Sequence, residues 1–233
     1  MSTRRIVSTA GAAFVGALSA LLLAGLPIDV HAADKLVFAD FELPLDQRPV
    51  SSRGGWIQLF GFQESPGHPM QFKGMDGQTP PAPALKMTAK DGLNKAIAFE
   101  YTLVGPNQWG GVSVEVHGLP DKDGKPQFDD VSAFKFLDLQ IFTAEPTKMR
   151  VEFQTQNVGM SVEQPPQFGF RTKPGMNAYK IKLSDAAQPE WVEPKVNPKD
   201  VFKHLTSVNV VVTCDDCREQ KGLVAIDNLV FEN

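Results

Sequence analysis

The feature that most constrains the fold is the stretch 109–157, where apolar and polar residues alternate at period two through three successive runs. It reads WGGVSVEVHG, a Gly/Pro/Asp-rich loop, SAFKFLDLQIFTA, a turn at Glu145-Pro146-Thr147, and KMRVEFQTQN. Val112, Val114 and Val116 fall on one side, and Ser113, Glu115 and His117 on the other. Leu137, Leu139 and Ile141 oppose Phe136, Asp138, Gln140 and Phe142. Met149, Val151, Phe153 and Thr155 oppose Arg150, Glu152, Gln154 and Gln156. Successive strand residues face opposite sides of a sheet, so each run predicts a strand with one face in a core and one face polar. Read as neighbours in one sheet, the runs place Asp138, Gln140, Arg150, Glu152, Gln154 and Gln156 side by side.

The rest of the chain carries the same pattern. Strands are expected at 35–42, 56–63, 84–90, 95–104, 177–184, 206–213 and 222–232. Residues 64–83 read as a long Pro/Gly loop, and the chain is irregular after Asn157 through Gly159, Pro165-Pro166 and Gly169. One short helix is expected over 197–204, with Asn197 as cap and Pro198 at the first helical position. Nine to eleven strands without strand–helix alternation predict an all-β chain: a two-sheet antiparallel β-sandwich, of jelly-roll type.

The first 32 residues stand apart. Arg4 and Arg5 precede a small, apolar run from 10 to 26, and Val30-His31-Ala32 fits a small-residue cleavage site. The expectation is a cleaved signal peptide over 1–32 and a single domain over 33–233. The alternative, an uncleaved anchor, suffers from the short run and from Pro27 and Asp29 at its end. The arginine pair leaves a twin-arginine or an ordinary secretory route open. On this reading the protein is exported, periplasmic or secreted, with no membrane span once the leader is gone. The leader holds two Arg and one Asp, so 23 basic and 27 acidic residues become 21 and 26, a net charge of −5. An acidic exported domain is a poor partner for nucleic acid.

Cys214 and Cys217 form the sole Cys pair, as Cys-Asp-Asp-Cys. In an oxidising compartment a short-range disulfide is the plainer reading; redox work, free thiols or half a metal site are the alternatives. Catalytic patterns are thin. There is no Gly-x-Ser-x-Gly elbow and no phosphate loop, and His68, His117 and His204 show no zinc spacing. Glu100, Glu115, Asp138 and Glu152 come from different strands, and a glycosidase would need two of them across a cleft. Nothing singles out such a pair. The polar sheet face reads differently. Sugars are held by planar side-chain hydrogen bonds and by aromatic platforms on a pre-organised surface. The polar residues named above supply the former, and Tyr101, Trp56, Trp109 and Trp191 are candidate platforms. An ordinary solvated sheet face would show the same residue types.

The ordered set LVFADFE, Gly54-Gly55-Trp56, WGGVSVEV, AFKFLDLQIFTA, KMRVEFQTQN, YKIKLSD and LVAIDNLVFE resembles the galactose-binding-like sandwich group. Within it the chain is similar to family 11 carbohydrate-binding modules and to CIA30-type domains. The strongest pieces are Trp109-Gly110-Gly111 and Ile226-Asp227-Asn228. The first resemblance implies a non-catalytic polysaccharide or oligosaccharide binder with its ligand on the concave sheet. The CIA30 resemblance implies instead a protein-interaction or assembly domain with protein partners. A third reading is a hydrolase or lyase with an unrecognised acid pair. Sandwiches of this group often hold a structural calcium, which by resemblance falls to Asp40, Glu42 and Asp227. The chain departs from the glucan-binding pattern in having only two tyrosines, Tyr101 and Tyr179.

Overall fold

Twelve strands pair into two antiparallel sheets in the computed structural model, which describes residues 34–42, 49–62, 71–73, 85–88, 95–105, 107–118, 120–125, 127–155, 164–214 and 219–233. The expected leader, His68, Gln156 and Cys217 lie outside these residues.

The first sheet follows the order β10 (Gly175–Lys182), β7 (Phe136–Thr143), β12 (Gln220–Glu232), β5 (Lys95–Leu103), β3 (Gln71–Lys73). β4 (Leu85–Thr88) also pairs with β5, and β1 (Lys35–Ala39) pairs with the last residues of β12. The second sheet runs β2 (Ile57–Phe62), β6 (Gln108–Glu115), β11 (Ser207–Cys214), β8 (Lys148–Gln154), β9 (Gln167–Arg171). The two sheets close on one core. Ile97, Phe99, Leu103, Leu137, Leu139, Ile141, Val224 and Ile226 come from the first; Val112, Val114, Met149, Val151, Phe153, Val208 and Val210 come from the second. The alternation read from the sequence therefore holds strand by strand.

The partners of those strands differ from the expectation. β6 and β8 are not neighbours but flank β11, and β7 belongs to the other sheet. The link between β7 and β8 (144–147) crosses from sheet to sheet. It is pinned by Thr147 N donating to Thr172 Oγ1 and Thr172 N donating to Thr147 O, both at 2.9 Å. β9 and β3 are strands where loop was expected. β9 follows Pro165-Pro166 and carries Gly169, yet as an edge strand it needs only one ladder, and Phe168 and Phe170 pack against the core. The helix α1 (Pro198–Lys203) forms as expected, with Asn197 Oδ1 accepting from Lys199 N at 3.1 Å.

One glycine is dictated by the sheet. A Cβ on Gly111 would lie 2.0 Å from Val210 O in the adjoining strand β11, so no larger residue fits there without parting the β6–β11 ladder.

Candidate functional site

Strand register arranges the outer face of the second sheet into rows. Gln58 stands opposite Ser113, Ser113 opposite Asn209, Asn209 opposite Glu152, and Glu152 opposite Gln167. This row crosses all five strands and is polar throughout. The next row runs Phe60, Gly111, Val211, Arg150, Gly169. A third holds Phe62 beside Trp109, Trp109 beside Thr213, and Lys148 beside Arg171. β11 forms the floor: Ser207, Asn209, Val211 and Thr213 are all buried although they point away from the core.

Walls rise on both sides. Phe60, Phe62 and Trp109 cluster along β2 and β6, with Phe62 stacked on Trp109 at 5.9 Å and Phe60 edge-on at 5.6 Å. Opposite them stand Gln164, Pro165, Pro189 and Trp191. Gln188 fixes this second wall: its Nε2 donates to Gln164 O and its Oε1 accepts from Val196 N, both at 2.6 Å. Two adjoining grooves result, of about 480 and 390 Å³, sharing Trp109, Arg150 and Gln164. Both volumes fall in the range of small-molecule sites, about 300–1,000 Å³.

The polar groups are held in place. Arg150 Nε donates to Glu152 Oε1 at 2.7 Å, and Asn209 Nδ2 donates to Glu152 Oε2 at 3.1 Å. The Arg150 guanidinium lies 5.1 Å from the Trp109 ring centroid. Gln58 Nε2 donates to Glu115 Oε1 at 2.7 Å. Gln167 Oε1 is buried in the groove wall and makes no hydrogen bond within the described residues.

The residues singled out from the sequence divide between the two sheets. Arg150, Glu152, Gln154 and Trp109 meet on this face, but Trp109 is already covered by Phe62 and Arg150. The open aromatic surface belongs to Phe62, 43% exposed, and Trp191, 73% exposed. Trp56 precedes β2 on the same side as Gln58 and is 41% exposed. Asp138 and Gln140 do not join them. They lie on the outer face of the first sheet, where Asp138 stands opposite Lys180 and 3.6 Å from its Nζ. Tyr101 is not a surface platform: it is 4% exposed in the core, and Gln220 Nε2 donates to its hydroxyl at 3.2 Å. Glu100 and Asp138 sit on the first sheet and Glu115 and Glu152 on the second, so the four acids do not converge.

Asp40 and Glu42 follow β1, and Asp227 lies in β12 near the residues that pair with β1. Among the described residues no three metal-ligating side chains gather closely enough to hold an ion. Glu42 Oε1 accepts from Lys95 N at 2.6 Å. The buried Asp227 carboxylate accepts from Asn228 N and Nδ2, both at 2.8 Å, where β12 bulges and Asn228 takes φ +52°. The three carboxylates are therefore not clustered in this structure.

Sequence reasoning missed Phe60, Phe62, Gln58, Asn209 and Gln164. A signal was present: WIQLFGF places Trp56, Gln58, Phe60 and Phe62 on one side at period two, and SVNVVVT does the same for Ser207, Asn209 and Thr213.

No family model matches the chain, and no curated protein matches it. Solved structures do. A family 11 carbohydrate-binding module from Clostridium thermocellum, in complex with a β-1,3-1,4-mixed-linked tetrasaccharide, superposes with a TM-score of 0.51 at 12% identity, covering 84% of this chain and 94% of the module. A family 11 module of a cellulosomal cellulase of the same organism gives 0.50 at 12% identity, covering 84% and 93%. The CIA30-type resemblance finds no support in these matches. At such low identity the likeness is one of fold: the chain is a two-sheet antiparallel β-sandwich of the kind seen in family 11 carbohydrate-binding modules.

Proposed function

We propose that this protein binds a carbohydrate chain along the outer face of its second sheet. One observation carries the reading: a pair of joined grooves whose floor is fixed by a central strand. Their lining combines amides, a guanidinium and a carboxylate with aromatic edges. Such a surface costs little to organise on binding, because Arg150, Glu152, Asn209 and Gln58 are already held by one another. Ring faces of a sugar suit Phe62 and Trp191; ring hydroxyls suit Gln164, Gln154 and the Oε1 of Gln167, which has no partner among the described residues. The bound tetrasaccharide of the family 11 module supports the same class of ligand. Glu115 and Glu152 accept bonds from neighbours, so the face works as a binding surface without an acid pair.

Export belongs to this proposal through the leader, as does a Cys214–Cys217 disulfide, whose second partner lies outside the described residues. Trp191→Ala tests the binding reading. It removes an exposed ring from a loop and is expected to weaken glycan binding about tenfold, about 1.4 kcal/mol, with Tm unchanged. Undiminished binding would move the ligand off this face.

A further inference from the structure

The Gly54-Gly55-Trp56 motif lies at one end of the outer face of the second sheet, in the row beyond Gln58. Glu115 N donates to Trp56 O at 2.9 Å, which sets Trp56 beside Glu115; Glu115 stands opposite Ser207, and Ser207 opposite Gln154. Side chains at 56, 58, 60 and 62 share one side of the strand. Trp56, Phe60 and Phe62 therefore form an aromatic line along β2, about 20 Å from first to last, which is several pyranose rings end to end.

The turn before β2 is closed by backbone groups and Ser51. Ser51 N donates to Gly55 O at 2.8 Å, Gly55 N to Ser51 Oγ at 2.9 Å, and Ser51 Oγ to Val116 O at 2.9 Å. The indole of Trp56 stays 41% exposed, although the next residue, Ile57, is in the core. Its position is nonetheless prepared. A Cβ on Gly118 would lie 2.7 Å from Trp56 Nε1 and 2.8 Å from its Cδ1, so the bare backbone at 118 is the seat on which the ring rests. A ring held in this way loses little freedom when a ligand covers it.

The two grooves are strung out in the same direction as the aromatic line. The larger takes Phe62 and Thr213 of the third row, the smaller takes Gln58 and Asn209 of the first, and both take Arg150 of the second. Passing from one groove to the other is thus a movement along the strands, not across them. The smaller groove also reaches Ser207 and Gln154, which stand in the row of Trp56. Trp191 lines the larger groove, at the opposite end.

We propose that the glycan lies lengthwise, parallel to β2, and that Trp56 is the platform for the sugar ring at the end distant from Trp191. The inference rests on the carbohydrate reading above and adds the direction and length of the ligand. It is a linear stretch of at least a tetrasaccharide, since a disaccharide does not reach from Phe62 to Trp56.

The test measures affinity by calorimetry for β-gluco-, xylo-, manno- and galacturono-oligosaccharides, each from the disaccharide to the hexasaccharide. In the series that binds, affinity is expected to rise at least about tenfold from disaccharide to hexasaccharide. Trp56→Ala is expected to abolish that rise at unchanged Tm, so that the hexasaccharide binds no tighter than the disaccharide. Trp56→Phe keeps a ring on the Gly118 seat and is expected to retain most of the rise. A rise that survives Trp56→Ala, or no rise in the parent, would overturn the lengthwise placement and leave the carbohydrate reading standing. Loss of binding at every length together with a lowered Tm in Trp56→Ala would overturn it by making the ring a part of the fold. Binding of no series by the folded parent would overturn both.

Discussion

Arg150→Ala tests the structural logic of the face. In the native protein the Glu152 side chain is 5% exposed and Arg150 20% exposed, joined by one hydrogen bond of 2.7 Å. Removing one partner of a buried ion pair costs about 3–5 kcal/mol, since a charge is left without its counterion. Here Asn209 still donates to Glu152 and the groove admits water, which lowers the cost to about 2–3 kcal/mol. Loss of the contact with Trp109 adds about 0.5–1 kcal/mol. For a domain of this size the sum, about 2.5–4 kcal/mol, corresponds to a fall in Tm of about 5–16 °C. The assay is thermal unfolding by circular dichroism of Arg150→Ala, Glu152→Gln and the double variant. The double variant is expected to recover at least about 1 kcal/mol relative to additivity, because the orphaned charge is gone. A Tm for Arg150→Ala within about 1 °C of the parent would refute the reasoning, making the pair no more than a surface salt bridge.

Three other outcomes follow from the geometry. On the first sheet, Glu232 accepts from Lys180 and Lys35, which hold its carboxyl well below the usual carboxylate range, at about 2. A depressed folded-state value gives stability that is present above about pH 4.5 and lost as pH falls toward 2; Asp138, pushed up chiefly by desolvation, opposes this in part. Tm measured against pH should therefore show a flatter acid limb in Glu232→Gln. Gly111→Ala should lower Tm by at least about 5 °C, since its Cβ meets backbone and not a yielding side chain. Calcium titration of the chelated protein tests the expected ion at Asp40, Glu42 and Asp227: a bound ion raises Tm with calcium concentration, and a Tm that stays within about 1 °C removes it.

Alternation in the sequence settled which side of each strand faces the core, because burial acts on each residue locally. Val112, Leu137 and Val151 all turn inward as read. Sheet membership is a different kind of fact. The short link at 144–147 fits a hairpin as well as a crossing, and only packing of the whole decides between them. That is why Asp138 and Gln140 were grouped with Arg150, although they lie on the opposite side of the molecule's core. Tyr101 shows a related limit: its ring type fits a platform or a core aromatic, and the structure buries it, with Gln220 satisfying the hydroxyl. The grooves themselves were not legible, since Gln164 and Trp191 reach the face from connections whose paths no periodicity encodes. The aromatic side chains of β2 are legible as well: WIQLFGF marks a strand, and separating its two faces puts Phe60 and Phe62 beside Trp56.

The most direct test of the central claim is a glycan array probed with the protein and with a Phe62→Ala/Trp191→Ala variant of unchanged Tm. The account predicts binding to a polysaccharide class by the parent and loss of that signal in the variant. Equal signals from the two proteins, or none from the folded parent, would contradict it.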